Sequence, residues 1–303
     1  SLLAVIFSSM QEIPLPDKFK KPATFKDTLD DFNYSKQHYW DGINFMDGRI
    51  IRTPIFERKL KTYFENYVPP IADSIIQEVN WMMALGRNDK EMFQFLIGYF
   101  VDNYYAPKIM GQDKVFLHIY QRYFATNQVN WLSEKQMKQI SDRAYMIMAN
   151  QLGDHAAELN LVDTAGKPQR LYDLSANYSI VVFWDPDCGH CQTEIPKLDS
   201  LYESKWKSQN VKIYAVMVNE LSVSKWGKFI NEHAPSWIHV HQTNEMKAEE
   251  EKAKQPNYHQ LYDIRTTPSL FLLDKEKRII AKNISLEDLD KVLQEKIKQS
   301  TQQ

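Results

Sequence analysis

Val182-Phe183-Trp184-Asp185-Pro186-Asp187-Cys188-Gly189-His190-Cys191 is the stretch whose reading decides the fold. It continues Tyr178-Ser179-Ile180-Val181, so Tyr178 to Trp184 is a short, apolar, β-branched run of the kind that forms a buried strand. From about Gly189 to Trp206 the pattern is helical, with Pro196 inside it as an expected kink. The two cysteines therefore sit where a strand hands over to the first turn of a helix, and thiols at this spacing can close into a small disulfide. The positive end of the helix favours a thiolate. Cys188, at the exposed end, is the expected nucleophile; Cys191, one turn in, is expected to resolve the mixed disulfide. His190, between them, favours the thiolate as a positive or hydrogen-bonding imidazole and so makes the pair a better oxidant. Asp185 and Asp187 push the other way. The net sign depends on distances that a sequence does not contain.

The chain has 303 residues and 2 cysteines, both in this motif, so a disulfide scaffold is excluded. A structural zinc site needs about four ligands. His239 and His241 face the same way on a strand but read as surface residues, and no metal is expected. The formal net charge of −2 excludes a general nucleic-acid binder, which needs a basic footprint. Only 9 residues are glycine, which disfavours glycine-rich nucleotide loops. The apolar run Leu2 to Phe7 is too short to cross a bilayer, which takes about 20 residues. It reads either as the remnant of a signal-peptide apolar region or as a first strand or docked terminus. No other stretch is long and apolar enough to span, and Gln299 to Gln303 reads as a frayed tail.

Upstream of about residue 150 the period is helical. Thr53 followed by Pro54 predicts a helix start with a capping hydroxyl, running to Tyr67 before Pro69-Pro70. A second helix spans Ile71 to Leu85, ending near Gly86. Asn88 and Glu91 have capping-box spacing for a third, Met92 to Tyr105, apolar nearly all round and so expected at the centre of a bundle. Asp113 to Phe124 is a fourth, and Ser133 with Gln136 caps a fifth to about Ala149. Downstream, Leu159 to Val162, Tyr178 to Trp184, Val211 to Val218, Ser269 to Leu273 and Arg278 to Lys282 read as strands. They alternate with helices near Val223–His233, Glu245–Lys254 and Leu286–Ile297, which means an α/β layered domain. The expected organisation is an all-α domain over 1–150 and an α/β domain over 151–303.

Residues from about Gly153 to Lys298 resemble the thioredoxin fold, and specifically the TlpA/ResA-like thiol-disulfide oxidoreductases of bacterial envelopes. The motifs are Gly153…Leu159-Asn160-Leu161…Gly166, then Phe183-Trp184-x-x-x-Cys188-Gly189-His190-Cys191-x-x-Glu194-Ile195-Pro196, and Thr266-Thr267-Pro268-Ser269. The resemblance implies a central mixed sheet flanked by helices and a cis Thr267–Pro268 bond facing the disulfide. It places Trp184, Pro186, Thr267 and Pro268 at the substrate surface. It also implies that Glu194, three residues after the second cysteine, passes protons to and from Cys191 and raises thiol pKa values. Ordinary thioredoxins carry their buried acid at the position of Val182 instead. Asp187 departs from the family's frequent tryptophan before the first cysteine, which affects redox potential and partner surface rather than the chemistry. The first half resembles an uncharacterised helical domain that precedes thioredoxin-like domains in Gram-negative envelope proteins. That match lies in His38-Tyr39-Trp40-Asp41, Arg52-Thr53-Pro54 and Met110-Gly111-Gln112-Asp113. It gives no activity, and His38, Trp40 and Asp41 read either as the lining of a pocket or, more simply, as a core cluster.

The expected activity is dithiol–disulfide exchange with protein substrates, as reductase or isomerase. It needs no cofactor beyond the redox-active Cys188–Cys191 pair. The resemblance further implies a periplasmic or envelope location, membrane anchoring in the full-length precursor, and a membrane thiol-reducing partner as electron donor. Two rivals stand beside it. A thiol peroxidase wants a threonine three residues before its cysteine, where this chain has Asp185. A non-catalytic scaffold, in which the helical domain recruits a partner, leaves the intact cysteine pair without a role.

Overall fold

The computed structural model describes residues 2–11, 16–17, 24–233 and 236–301. The chain forms two compact units, Ser1–Trp131 and Leu132–Gln303.

In the first unit the described elements are helical. α1 is Leu2–Ser9, so the apolar start of the chain is a helix rather than a strand. α2 (Phe25–His38) opens on a capping box between Thr24 and Asp27, an element the apolar pattern does not announce because no residue of it is buried. A 3-10 turn at Gly48–Arg52 precedes α3 (Pro54–Asn66), α4 (Ala72–Gly86), α5 (Lys90–Tyr104) and α6 (Asp113–Ile119). α6 runs on through a π turn, Tyr120–Phe124. Pro54 occupies the first position of α3 as expected. Thr53 does not cap it, because its hydroxyl donates back to Ile50 O at 2.7 Å. The cap of α5 lies one residue later than Asn88. Asp89 accepts from Met92 N at 2.9 Å and with its other oxygen from Gly48 N at 3.0 Å. A Cβ on Gly48 would sit 2.6 Å from Asp89 Oδ1, so a larger residue there would have to displace the carboxylate that caps α5. The core is aromatic. Trp40 lies edge-on to Phe45 at 5.4 Å and to Phe56 at 6.1 Å between ring centres, a geometry that adds specificity to plain burial. His38 and Asp41, expected in that core, instead pair with each other at 2.7 Å on the partly exposed side of the cluster.

The second unit begins with α7 (Glu134–Met148), opened by the Ser133/Gln136 capping box. The sequence pattern groups this helix with the helical half, yet its buried contacts lie in the α/β unit. Arg143 is 6% exposed and forms an ion pair with Asp263, which is 7% exposed. Lys282 Nζ donates to Asn150 O and Oδ1, both at 2.7 Å, and Asn150 Nδ2 donates to Leu261 O at 3.0 Å. Periodicity shows that a helix exists; which body it packs on is set by such distant polar partners.

A seven-stranded mixed sheet follows, in the order β2-β1-β5-β4-β3-β6-β7. The strands are β1 (Asn160–Asp163), β2 (Pro168–Arg170), β3 (Tyr178–Trp184), β4 (Val211–Met217), β5 (Ile238–His241), β6 (Ser269–Leu273) and β7 (Ile279–Lys282). β3 pairs parallel with β4 and antiparallel with β6. Both of its faces are covered, so its run of large apolar residues is required rather than alternation. Ile180, Val182 and Trp184 point into a core shared with α8 (Gly189–Leu201), α9 (Val223–His233) and α12 (Leu286–Thr301). Val181 and Phe183 point the other way, into a core with Leu161, Leu171, Tyr258 and Tyr262. α10 (Asn244–Ala253) and the short α11 (Tyr258–Leu261) complete the unit. α8 continues through Pro196 into a π turn, Tyr202–Trp206. α12 extends to Thr301, so 299–301 is helical; Gln302 and Gln303 lie outside the described residues. His239 is not a surface residue: it is 6% exposed and stacks on Trp237 at 5.6 Å, while His241 lies edge-on to Trp226 at 5.2 Å.

Removing one partner of a buried ion pair leaves an uncompensated charge and costs about 3–5 kcal/mol. Arg143→Ala should therefore destabilise the second unit by about that amount in urea unfolding of the full chain. A loss under about 1 kcal/mol would show that the pair does not anchor α7.

Candidate active site

β3 must end where its last buried residue, Trp184, meets the edge of the core. Asp185-Pro186-Asp187 turns the chain, with Cys188 N donating to Asp185 O at 3.1 Å. Cys188 is the N-cap of α8 in an extended conformation, φ −82° and ψ 120°. The first backbone N–H groups of a helix have no partner within the helix. Here those of His190 and Cys191 act on Cys188 Sγ.

The register of the sheet supplies the other wall. Phe183 of β3 pairs with Ser269 of β6, which sets Thr267 and Pro268 beside the end of β3. The Thr267–Pro268 peptide is cis. The Cys188 thiol donates to Thr267 O at 3.4 Å. Both Thr267 and Pro268 are half-buried, so this edge remains reachable.

The two thiols differ sharply. Burial pushes the Cys188 thiol up, but the Thr267 side chain, the Cys191 and His190 backbone N–H groups and the Cys191 thiol together outweigh it, and the pKa falls below the ordinary cysteine value. Cys191 is fully buried, and burial, reinforced by the neighbouring Cys188, pushes it up to about 12. The two carboxylates of the loop do not confront the thiols unpartnered. Asp185 accepts from Asp187 N at 2.8 Å and from Asn219 Nδ2 at 3.1 Å. Asp187 accepts from Lys225 Nζ at 2.6 Å and from Ser222 Oγ.

Of the residues the sequence points to, Cys188, Cys191, Thr267 and Pro268 come together. His190 is exposed, and what reaches Cys188 is its backbone N–H rather than its ring. Glu194 is not placed as a proton carrier for Cys191. Its carboxylate pairs with Lys197 one turn on, at 2.8 Å, and the groups acting on Cys191 are Asp185, Cys188 and Thr267. Trp184 is fully buried, packs on Phe229 at 5.2 Å and belongs to the core beneath the site rather than to its surface. Pro186 is also buried; its carbonyl accepts from Gln192 Nε2 at 2.9 Å, which fastens the loop to α8. Sequence reasoning missed Asn219, Ser222 and Lys225. No local motif marks them, because they meet the loop only through the fold. Among the described residues no group of three or more His, Cys, Asp or Glu could hold a metal ion, and no helix is long and apolar enough to cross a membrane.

Residues 152–282 match the AhpC/TSA family, and residues 8–150 match a domain of unknown function, DUF5106. Thiol-disulfide oxidoreductase ResA of Geobacillus kaustophilus is 29% identical over 148 residues, covering 47% of this chain and 76% of the relative. ResA of Geobacillus thermodenitrificans is 28% identical over the same shares. A crystal structure of a thioredoxin-like protein from Bacteroides caccae covers 94% of this chain and 98% of its own, with a TM-score of 0.68 at 20% identity, a likeness of fold.

The thiolate is the species that alkylates. With Cys191 at about 12, its thiolate fraction at pH 7 is about one part in 10⁵. Iodoacetamide should therefore label only Cys188 in the reduced, folded chain near neutrality, with a rate that rises through a pKa below the ordinary cysteine value. Equal labelling of the two cysteines, read by peptide mass spectrometry, would contradict the assigned asymmetry.

Proposed function

We propose that this chain, whose residues 152–282 match the AhpC/TSA family, is a thiol-disulfide oxidoreductase that exchanges its Cys188/Cys191 dithiol with disulfides of protein substrates. The observation that carries the reading is the unequal thiol pair. One low-pKa sulfur lies at a helix start against Thr267–Pro268, and one high-pKa sulfur is buried behind it.

The Cys188 thiolate attacks one sulfur of a substrate disulfide. The substrate S–S bond breaks, a mixed disulfide forms, and the departing substrate thiolate takes a proton. The change at Cys188 then prepares the second step. In the reduced pair, the hydrogen bond and charge of Cys188 help hold the Cys191 pKa up. Once Cys188 is bound in the mixed disulfide, both influences disappear, so Cys191 loses its proton more readily. Its thiolate attacks Cys188 Sγ, the mixed disulfide breaks, and the second substrate sulfur leaves as a thiol. The substrate gains two electrons and two protons, and the chain becomes the Cys188–Cys191 disulfide. No organic cofactor enters these steps.

The edge at Thr267 and Pro268 is where an extended substrate segment would lie, with main-chain pairing supplying affinity. The reaction direction is reductive or isomerising, and the oxidised pair is returned by a thiol-reducing partner at a membrane. The setting is the cell envelope, as the ResA likeness suggests. Two features support protein substrates over small ones: the nucleophile is half-buried at an open edge, and a neighbouring backbone is available to an extended chain.

Cys191→Ser should trap covalent protein partners through Cys188 in an envelope extract, visible as high-mass bands that vanish on adding a reductant. Cys188→Ser/Cys191→Ser should trap none; persistence of the same bands in that double variant would remove Cys188 from the role of nucleophile. The wild-type chain should reduce insulin disulfides in the presence of a thiol donor, and Cys188→Ser should lose at least about 10³-fold of that rate.

A further inference from the structure

The residue immediately before the attacking cysteine is an acid, and an anion beside a sulfur that must become an anion raises the pKa of that sulfur. Asp187 is ionised, since Lys225 and Ser222 hold its carboxyl below the usual carboxylate range. Yet Cys188 is shifted down rather than up. What lowers Cys188 is Thr267, the backbone N–H groups of His190 and Cys191 and the Cys191 thiol; Asp187, for its part, faces partners of its own. Lys225 Nζ lies 2.6 Å from Asp187 Oδ1, and Ser222 donates its hydroxyl to the other carboxylate oxygen. Both partners come from the segment after β4, Ser222 just before α9 and Lys225 in its first turn. A tightly bonded ammonium reduces the field of a carboxylate from that of a charge to that of a dipole, which falls off faster with distance.

We propose that the Asp187–Lys225 ion pair is a charge-compensating device for Cys188. Lys225 screens the thiolate from Asp187, and Asp187 keeps Lys225 from acting alone on the sulfur. Neither residue touches the reacting disulfide; both are positioning residues that act through Cys188. The inference rests on reading Cys188 as the attacking thiol and adds what tunes it. The pair also explains how this chain tolerates an acid before its first cysteine. The charge is present, but it is spent on a partner supplied by a different element. Since stabilising the thiolate stabilises the reduced form, the balance between these two charges sets how oxidising the pair is.

The other charged groups on the elements around Cys188 are the same in every variant below. Asp185 is held by Asn219, and Glu194 by Lys197. His190, Arg265 and Lys228 are exposed. Their effects therefore cancel when variants are compared. Lys225 is 67% exposed and Asp187 38%, so substitutions there leave the core untouched and the observable shifts are modest.

The test measures the pKa of Cys188 from the pH dependence of iodoacetamide labelling in the reduced full-length chain. Beside it, the equilibrium constant with glutathione is measured for the reaction of the Cys188–Cys191 disulfide with two glutathione thiols, which gives the dithiol and one glutathione disulfide. Lys225→Met should raise the Cys188 pKa by about 0.5–1 unit at low salt, and Asp187→Asn should lower it by a similar amount. The double variant should return to within about 0.3 unit of wild type, and Lys225→Arg should stay there. The glutathione constants of the two single variants should move in opposite directions, by up to about tenfold. Raising salt to about 1 M should draw the Lys225→Met value back toward wild type. A merely structural brace predicts that both single variants shift Cys188 the same way; that result, or no shift in either, overturns the proposal. Alkylation needs no disulfide substrate, so failure of the compensation idea and failure of the exchange reading show up in separate experiments.

Discussion

The chemistry of this protein depends on the free N–H groups in the first turn of α8. A helix start leaves donors without acceptors, and a buried central strand that ends just before it delivers them to one place. The sulfur of Cys188 lies at that helix start, and the N–H groups of His190 and Cys191 help lower its pKa. Removing β3 from the middle of the sheet would remove the point from which the loop departs. Removing the pairing of β6 on β3 would remove Thr267, the other wall of the sulfur's pocket. The site is therefore a consequence of strand order, because β3 lies between β4 and β6 and each neighbour contributes one side of the environment.

From that arrangement follows the contrast between two chemically identical side chains. One helical turn separates Cys188 from Cys191, yet Cys188 keeps partial access to solvent while Cys191 is fully buried. The same low-dielectric packing that stabilises the unit pushes the pKa of the second thiol up to about 12. In the proposed exchange reaction, the order of events follows from burial and needs no additional acid or base. Glu194, turned to Lys197, is not needed to explain it.

Much of the fold is legible in the primary sequence. Tyr178–Trp184 is read to the residue, because a strand buried on both faces leaves a continuous apolar run. The Ser133/Gln136 cap and Pro54 at the start of α3 are local signals and are read correctly. Thr53 and Asn88 show the limit of such signals. A hydroxyl or amide near a helix start has competing partners, here Ile50 O for Thr53 and the neighbouring Asp89 as the cap of α5. α2 escapes notice because none of its residues is buried, so no apolar stripe is imposed on its sequence. α7 is seen as a helix, but not as part of the α/β unit, since its placement depends on Asp263 and Lys282, more than a hundred residues away.

The sequence by itself determined the existence of the cysteine pair at a strand-to-helix junction, the α/β character of the second half, and the helical character of the first. These follow from spacing and periodicity, which are properties of neighbours along the chain. Only the tertiary structure decided which groups surround the sulfurs. It placed Thr267 against Cys188, gave Asp187 to Lys225 and Asp185 to Asn219, sank Trp184 and Pro186 beneath the surface, and buried His239. The physical reason is common to all of these. Hydrogen bonds, ion pairs and desolvation act over a few ångströms in space, and a sequence specifies nearness in space only through the completed fold.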